Sequence, residues 1–251
     1  MKVGAPSIQF DRQTGAYRLH SKAFAERYAE QVVDAVALSQ GQSAPPTSAL
    51  QGQALQTCYA VARQLLGPVQ ALALAGTAMA QLVGPEQAAD LDEGMRTRMK
   101  ARPVANLEGT SSQVYLGDQQ ETGYGASTSR SVILPEGFAP LLNQPLGAFL
   151  VGHELGHVEA NDVIERFGRN QVVESLGEGP LAQEARQVLV DLDHQIEFDA
   201  DQRGLRYALS QGHGREAVLQ GFSKFLQVTD NGQSSDSHPS SQERLRRLAG
   251  S

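Results

Sequence analysis

Two histidines four residues apart constrain this chain more than any other feature. His153-Glu154-Leu155-Gly156-His157 lies inside an apolar run in which Leu146, Phe149, Leu150, Leu155, Val158 and Ile164 recur with a helical period. The run predicts a helix opened by an Asn143 N-cap, with Pro145 in its first turn, and continuing toward Gly168. Imidazoles one turn apart stand one above the other, so both can reach a single cation through bonds of about 2.0–2.1 Å. Glu154 projects beside the open coordination position, where a carboxylate can take a proton from water. Gly152 and Gly156 each cost a helix about 1 kcal/mol relative to Ala, which points to something approaching this backbone closely.

Length and composition set the frame for that helix. With 251 residues, 40% of them hydrophobic and 20% charged, the chain can bury a core and is neither a disordered polyelectrolyte nor a Cys-rich scaffold. A net charge of −7 with scattered basic residues offers no field for a phosphate backbone, so nucleic acid is not an expected partner. The lone Cys58 forms no internal bridge. Met1 to Phe10 has no charged-then-apolar secretory pattern, which points to the cytoplasm if Met1 is the native start. A processed or trimmed form would instead belong to the periplasm or cell envelope. The most apolar stretch, Val69 to Val83, is short and broken by Gln70, Gly76 and Gln81, so it reads as a buried helix and no transmembrane segment is expected.

Further helices are expected over Ser21 to Leu38, Leu50 to Leu66 and Val69 to Val83, the last closed by Gly84 and Pro85, with a Pro45-Pro46 loop after the first. Gln113 to Leu116 and Ser131 to Leu134 suit strands of a small sheet. A long helix runs from Leu181 to Ser210 with an apolar stripe of Leu181, Ala185, Val188, Leu189, Leu192 and Ile196. The polar stretch Thr229 to Ser241 precedes a short basic helix around Glu243 to Leu248. This pattern predicts an α+β, mainly helical chain, with residues 1–100 a helical lead-in and 101–251 the domain that carries the site.

A hydrolytic metal site needs a third protein donor. Glu197 is the choice, because it follows Ile196 at the edge of the buried stripe, where a carboxylate is costly without a cation. Asp201, one turn on, can accept the outer N–H of His153 and fix its tautomer.

Three blocks carry a likeness: Leu150 to Val158 around the two histidines, Glu197-Phe198-Asp199-Ala200-Asp201-Gln202-Arg203-Gly204-Leu205, and His238-Pro239-Ser240-Ser241-Gln242-Glu243-Arg244. In order and spacing they resemble the M48 family of zinc metallopeptidases, which includes HtpX-like and CAAX-prenyl-type proteases, over about Gly123 to Leu248. The resemblance implies a zincin-like gluzincin fold, with a small antiparallel or mixed sheet packed on the HExxH helix. It implies one zinc held by His153, His157 and Glu197, with Glu154 as general base and Asp201 behind the ligands. His238 is implied either to stabilise the tetrahedral intermediate or to cap the metal, and Arg244 to hold that loop or the substrate. The activity expected is endopeptidase cleavage of protein or peptide substrates. The alternative is a zinc-binding, latent chaperone-like or regulatory module in which His238 closes the shell.

The chain departs from the family in having Tyr124-Gly125-Ala126-Ser127 where members carry an Asn-Ala-Phe-like entry, and in lacking their spanning helices. An extended peptide is expected to pair with a sheet edge near Thr122 to Ser129. His194 competes weakly as a ligand, His213 reads as a loop residue, His20 has no metal-binding company, and Cys58 reads as an inert thiol.

Overall fold

Among the described residues of the computed structural model, the expected β-rich runs pair and the expected apolar periodic runs coil. The structure describes residues 8–11, 16–19, 47–82, 85–107, 112–118, 125–229 and 234–250. The helix expected over Ser21 to Leu38 and the loop around Pro45-Pro46 lie outside these. The described chain is mainly helical with a small mixed sheet, the α+β class that the patterning predicts. Compactness divides it into two units, Met1–Val83 with Ile164–Leu192, and Gly84–Val163 with Asp193–Ser251.

The first unit contains an antiparallel pair, β1 (Ile8–Asp11) and β2 (Ala16–Leu19), followed by α1 (Thr47–Leu66) and α2 (Pro68–Leu82). It also takes in α5 (Asp162–Ser175) from Ile164 onward and the first part of α6 (Pro180–Ser210). Tyr59, Leu72, Ala75, Val172, Ala185, Val188 and Leu192 form its core, with Leu181 and Leu189 packed against it, so the expected stripe faces inward as far as Leu192, while Ile196 is half-buried. Of the expected segment Val69 to Val83, the described part up to Leu82 lies in α2, whose Ala71, Leu72, Leu74, Ala75 and Ala78 are buried in that core. No helix among the described residues is long and apolar enough to cross a membrane.

The second unit holds α3 (Pro85–Arg98), the strands β3 (Arg102–Asn106), β4 (Gln113–Gly117), β5 (Ala126–Ser127) and β6 (Ser131–Pro135), a 3-10 turn (Glu136–Leu141) and α4 (Pro145–Ala160). The later part of α6, then α7 (Arg215–Thr229) and α8 (Ser241–Ala249), complete it. The sheet order is β3-β4-β6-β5: β3 is antiparallel to β4, β4 parallel to β6, and β5 antiparallel to β6. Pro103 sits on the edge strand beside a register shift, where its missing N–H interrupts no interior ladder. β6, interior to the sheet, is buried along its whole length. Val114, Leu116, Val132 and Leu134 pack with Phe149, Leu150, Leu205 and Phe222 into one core, which seats the sheet on α4.

Several expected boundaries shift. Gln144, not Asn143, is the N-cap of α4, with Pro145 at the first helical position. The helix expected to reach Gly168 stops at Ala160, because Asn161 adopts the left-handed region (φ 59°) and donates its N–H to the carbonyls of His157 and Val158. Asn tolerates that conformation through local hydrogen bonding, so it ends a helix as Gly does. Pro85 opens α3 rather than merely closing the helix before it.

Candidate metal centre

α4 is buried on every side from Gly147 to Gly152 and again at His153, Leu155, Gly156 and His157. It crosses α6 where small residues allow close approach. A Cβ on Gly152 would lie 2.4 Å from the Tyr207 side chain, and one on Gly204 would lie 2.7 Å from the Phe149 carbonyl oxygen. The crossing brings Glu197 and Asp201 of α6 against the two imidazoles.

Polar rings inside an apolar helix need partners. His153 Nδ1 donates to Asp201 Oδ1 at 3.0 Å, and His157 Nδ1 donates to Asp162 Oδ2 at 3.0 Å. An ionised carboxylate only accepts, so each ring keeps a proton on Nδ1 and turns Nε2 inward. The two Nε2 atoms lie 3.2 Å apart. Glu197 completes the triangle, with Oε2 3.5 Å from His153 Nε2 and Oε1 3.5 Å from His157 Nε2. Bonds of about 2.0–2.1 Å at the tetrahedral angle give ligand-to-ligand edges of about 3.3–3.4 Å, which these separations match. Glu197 Oε2 is buried and makes no hydrogen bond, with Arg244 Nη2 3.7 Å away, and a cation between it and the two Nε2 atoms would satisfy it. His153, His157 and Glu197 thus form a cluster that can hold one metal ion.

The electrostatics agree. Burial, the largest single influence, pushes His153 toward neutrality, but hydrogen bonds and charge from Asp201 and Glu197 together raise it from 6.5 to about 10. Burial, again the largest influence, and the neighbouring His153 push His157 down, but its bond to Asp162 and the Glu197 and Glu154 charges together raise it. Burial raises Glu197, yet the two imidazoles and His238 outweigh it and hold the carboxyl below the usual range. The pocket therefore favours a positive charge, supplied by a proton when no metal is bound. His153 titrates higher folded than unfolded, so its stabilisation is full below about pH 6.5 and is lost as pH rises through about 10. We expect the melting temperature of chelator-treated protein to fall across that window, and the His153-dependent part of the fall to vanish in His153→Ala. A scan of melting temperature against pH in excess chelator checks this.

The sequence model of peptidase family M48 matches residues 122–251. The chain belongs to peptidase family M48. No curated protein and no solved structure matches it. The matched stretch nearly coincides with Gly123 to Leu248, and in this M48 member it runs from β5 to α8.

The remaining predicted residues fall around the cluster in different ways. Glu154 stands outside the three-donor set, its carboxylate lying against Gly125, where a Cβ would come within 2.6 Å of Oε1. Arg244 grips Asp201 with both arms, Nε to Oδ2 at 2.9 Å and Nη2 to Oδ1 at 2.7 Å, and its guanidinium rests over the Phe222 ring. Burial raises the Asp201 carboxyl, but Arg244 and His153 outweigh that and lower it. His238 Nε2 lies 3.6 Å from Glu197 Oε1 on an exposed turn, its Nδ1 bonded to the Ser237 hydroxyl. His194 points elsewhere and donates from Nε2 to the Ser235 carbonyl at 2.7 Å. His213 follows α6 in a loop, and Cys58 is half-buried on α1, its thiol pushed up by burial. His20 and Tyr124 lie outside the described residues. Sequence reasoning missed Asp162, which meets His157 only because Asn161 breaks the helix. The Asn161-Asp162 pair interrupting an apolar run was the available signal.

Proposed function

We propose that this M48 chain is a zinc-dependent endopeptidase, with 101–251 as its catalytic domain and His153, His157 and Glu197 as the zinc ligands. The observation that carries the reading is the buried Glu197 oxygen, without a hydrogen bond, facing two inward-turned Nε2 atoms in a chain of a metallopeptidase family. His153, His157 and Glu197 would hold the zinc, which would supply Lewis acidity and lower the pKa of a water toward neutrality. Asp201 and Asp162 hold the imidazole tautomers. Glu154 takes the proton from the attacking water and returns it to the leaving amine. Its carboxylate is free for that work because it is not among the three donors.

Substrate would enter as an added strand. β5 ends the sheet order, and no described strand pairs with its outer edge. A peptide there hydrogen-bonds through its main chain, which gives affinity with little side-chain selection. The missing Cβ of Gly125 leaves room for the Glu154 carboxylate, so Gly125→Ala should displace that carboxylate. We expect kcat to fall about tenfold to a hundredfold, as for a misplacement near 1 Å, with zinc content unchanged. Steady-state kinetics beside metal analysis checks it.

His238 is assigned to the negative charge that develops on the scissile carbonyl oxygen, for which an exposed turn beside Glu197 is well placed. The same 3.6 Å approach to Glu197 favours a second reading, a latent or regulatory module in which His238 caps the metal. His238→Ala separates them: casein cleavage falls under the first reading and rises under the second. The main test is removal of metal. Casein cleavage by the full chain should stop with a chelator and return with one equivalent of zinc; cleavage indifferent to chelation would refute the assignment.

A further inference from the structure

Strand β5 has two residues, with Ala126 opposite Ile133 and Ser127 opposite Val132. Two pairs hold a strand weakly, so its position depends on what secures the turn into β6. Within that turn Thr128 N–H donates to the Ser131 carbonyl at 2.9 Å. The Thr128 hydroxyl oxygen accepts from Arg130 N–H at 3.1 Å and Ser131 N–H at 2.8 Å. A hydroxyl has one proton to give, and here it goes to Asp92 Oδ1 on α3. Thr128 is 1% exposed and Asp92 5%, so neither partner has water to fall back on. One helical turn earlier the Ala88 carbonyl accepts from Ser129 Oγ at 2.9 Å, giving α3 two grips on one turn. Asp92 is itself braced: Arg96 Nε donates to Oδ2 at 2.9 Å, and Arg96 Nη1 reaches the Tyr115 hydroxyl of β4 at 3.2 Å.

We propose that α3, which precedes the family-matched stretch, supports the peptide-binding edge from behind, with Asp92 and Thr128 as positioning residues that set β5 for substrate. The proposal rests on the strand-addition reading above and deepens it. α3 acts through the turn, and the turn carries the strand whose entry, Gly125, lies against Glu154. Binding of extended peptide is therefore the quantity that α3 controls.

The test uses the full zinc-loaded chain with Thr128→Val, Thr128→Ser and Asp92→Asn. Hydrogen–deuterium exchange at Ala126 to Ser131 should quicken about tenfold in Thr128→Val, stay near wild type in Thr128→Ser, and be unchanged over α4. Casein-peptide cleavage should show KM raised about tenfold in Thr128→Val with kcat within about threefold, again restored by Ser. Asp92→Asn keeps an acceptor for Thr128 but loses the Arg96 charge pair, and should fall between; it serves if Thr128→Val does not fold. Unaltered exchange at β5 in Thr128→Val would overturn the positioning role whatever the activity. Quickened exchange with unchanged KM would overturn the link to substrate. Absence of cleavage by the wild-type chain would count against the endopeptidase reading and leave the exchange result to decide the role of α3.

Discussion

Glu154→Gln is expected to lower kcat for casein cleavage by about a hundredfold to ten-thousandfold, the range that loss of a general base produces. Gln matches Glu in shape and keeps a carbonyl oxygen, but it cannot take a proton at neutral pH. Because Glu154 lies outside the three-donor cluster, zinc content should remain at one per chain. Its half-buried position against Gly125 also makes the exchange sterically mild, so the melting temperature should stay close to wild type. Initial rates with metal analysis and a thermal melt on the same preparation separate a chemical defect from a structural one. Wild-type rates in Glu154→Gln would remove Glu154 from its role.

Arg244→Met is expected to have the largest effect on stability. Asp201 is 2% exposed and accepts from both Arg244 and His153, so deleting the guanidinium leaves a buried carboxylate with a single partner. Breaking such a pair from one side costs about 3–5 kcal/mol, since the remaining charge keeps its desolvation penalty. Met preserves the apolar packing over Phe222, which isolates the electrostatic part. Zinc affinity should also weaken about tenfold to a hundredfold, because Asp201 loses the group that orients it toward His153. Urea unfolding and competitive zinc titration measure the two effects. A variant as stable as wild type would show that the pair contributes no net stability.

Much of the site was legible because its chemistry is local. His153 and His157 share a helix face by spacing alone, and Glu197 stood out as a carboxylate beside a buried stripe; the structure brings all three together. Asp201 reaches His153 as its spacing after Glu197 foretold. The signals that failed were those that depend on tertiary context. Asp162 meets His157 only after Asn161 turns the chain, and Asn is a weaker stop signal than Gly. β5 is too short for any alternation to register, and β3 carries a Pro that argues against a strand unless it lies at an edge. Pro85 could be read as an end or a beginning, which hid α3. α7, Arg215 to Thr229, is not among the expected helices, although Val218, Phe222 and Leu226 recur at helical spacing on its buried face.

The proposed chemistry requires two imidazoles of α4 and a carboxylate of α6 to share one divalent cation. A crystal structure of the zinc-loaded chain, with anomalous data collected on both sides of the zinc edge, tests it most directly. A single peak is expected about 2.0–2.2 Å from Nε2 of His153, Nε2 of His157 and an oxygen of Glu197. A peak elsewhere, or none among these residues with zinc in excess, would contradict it.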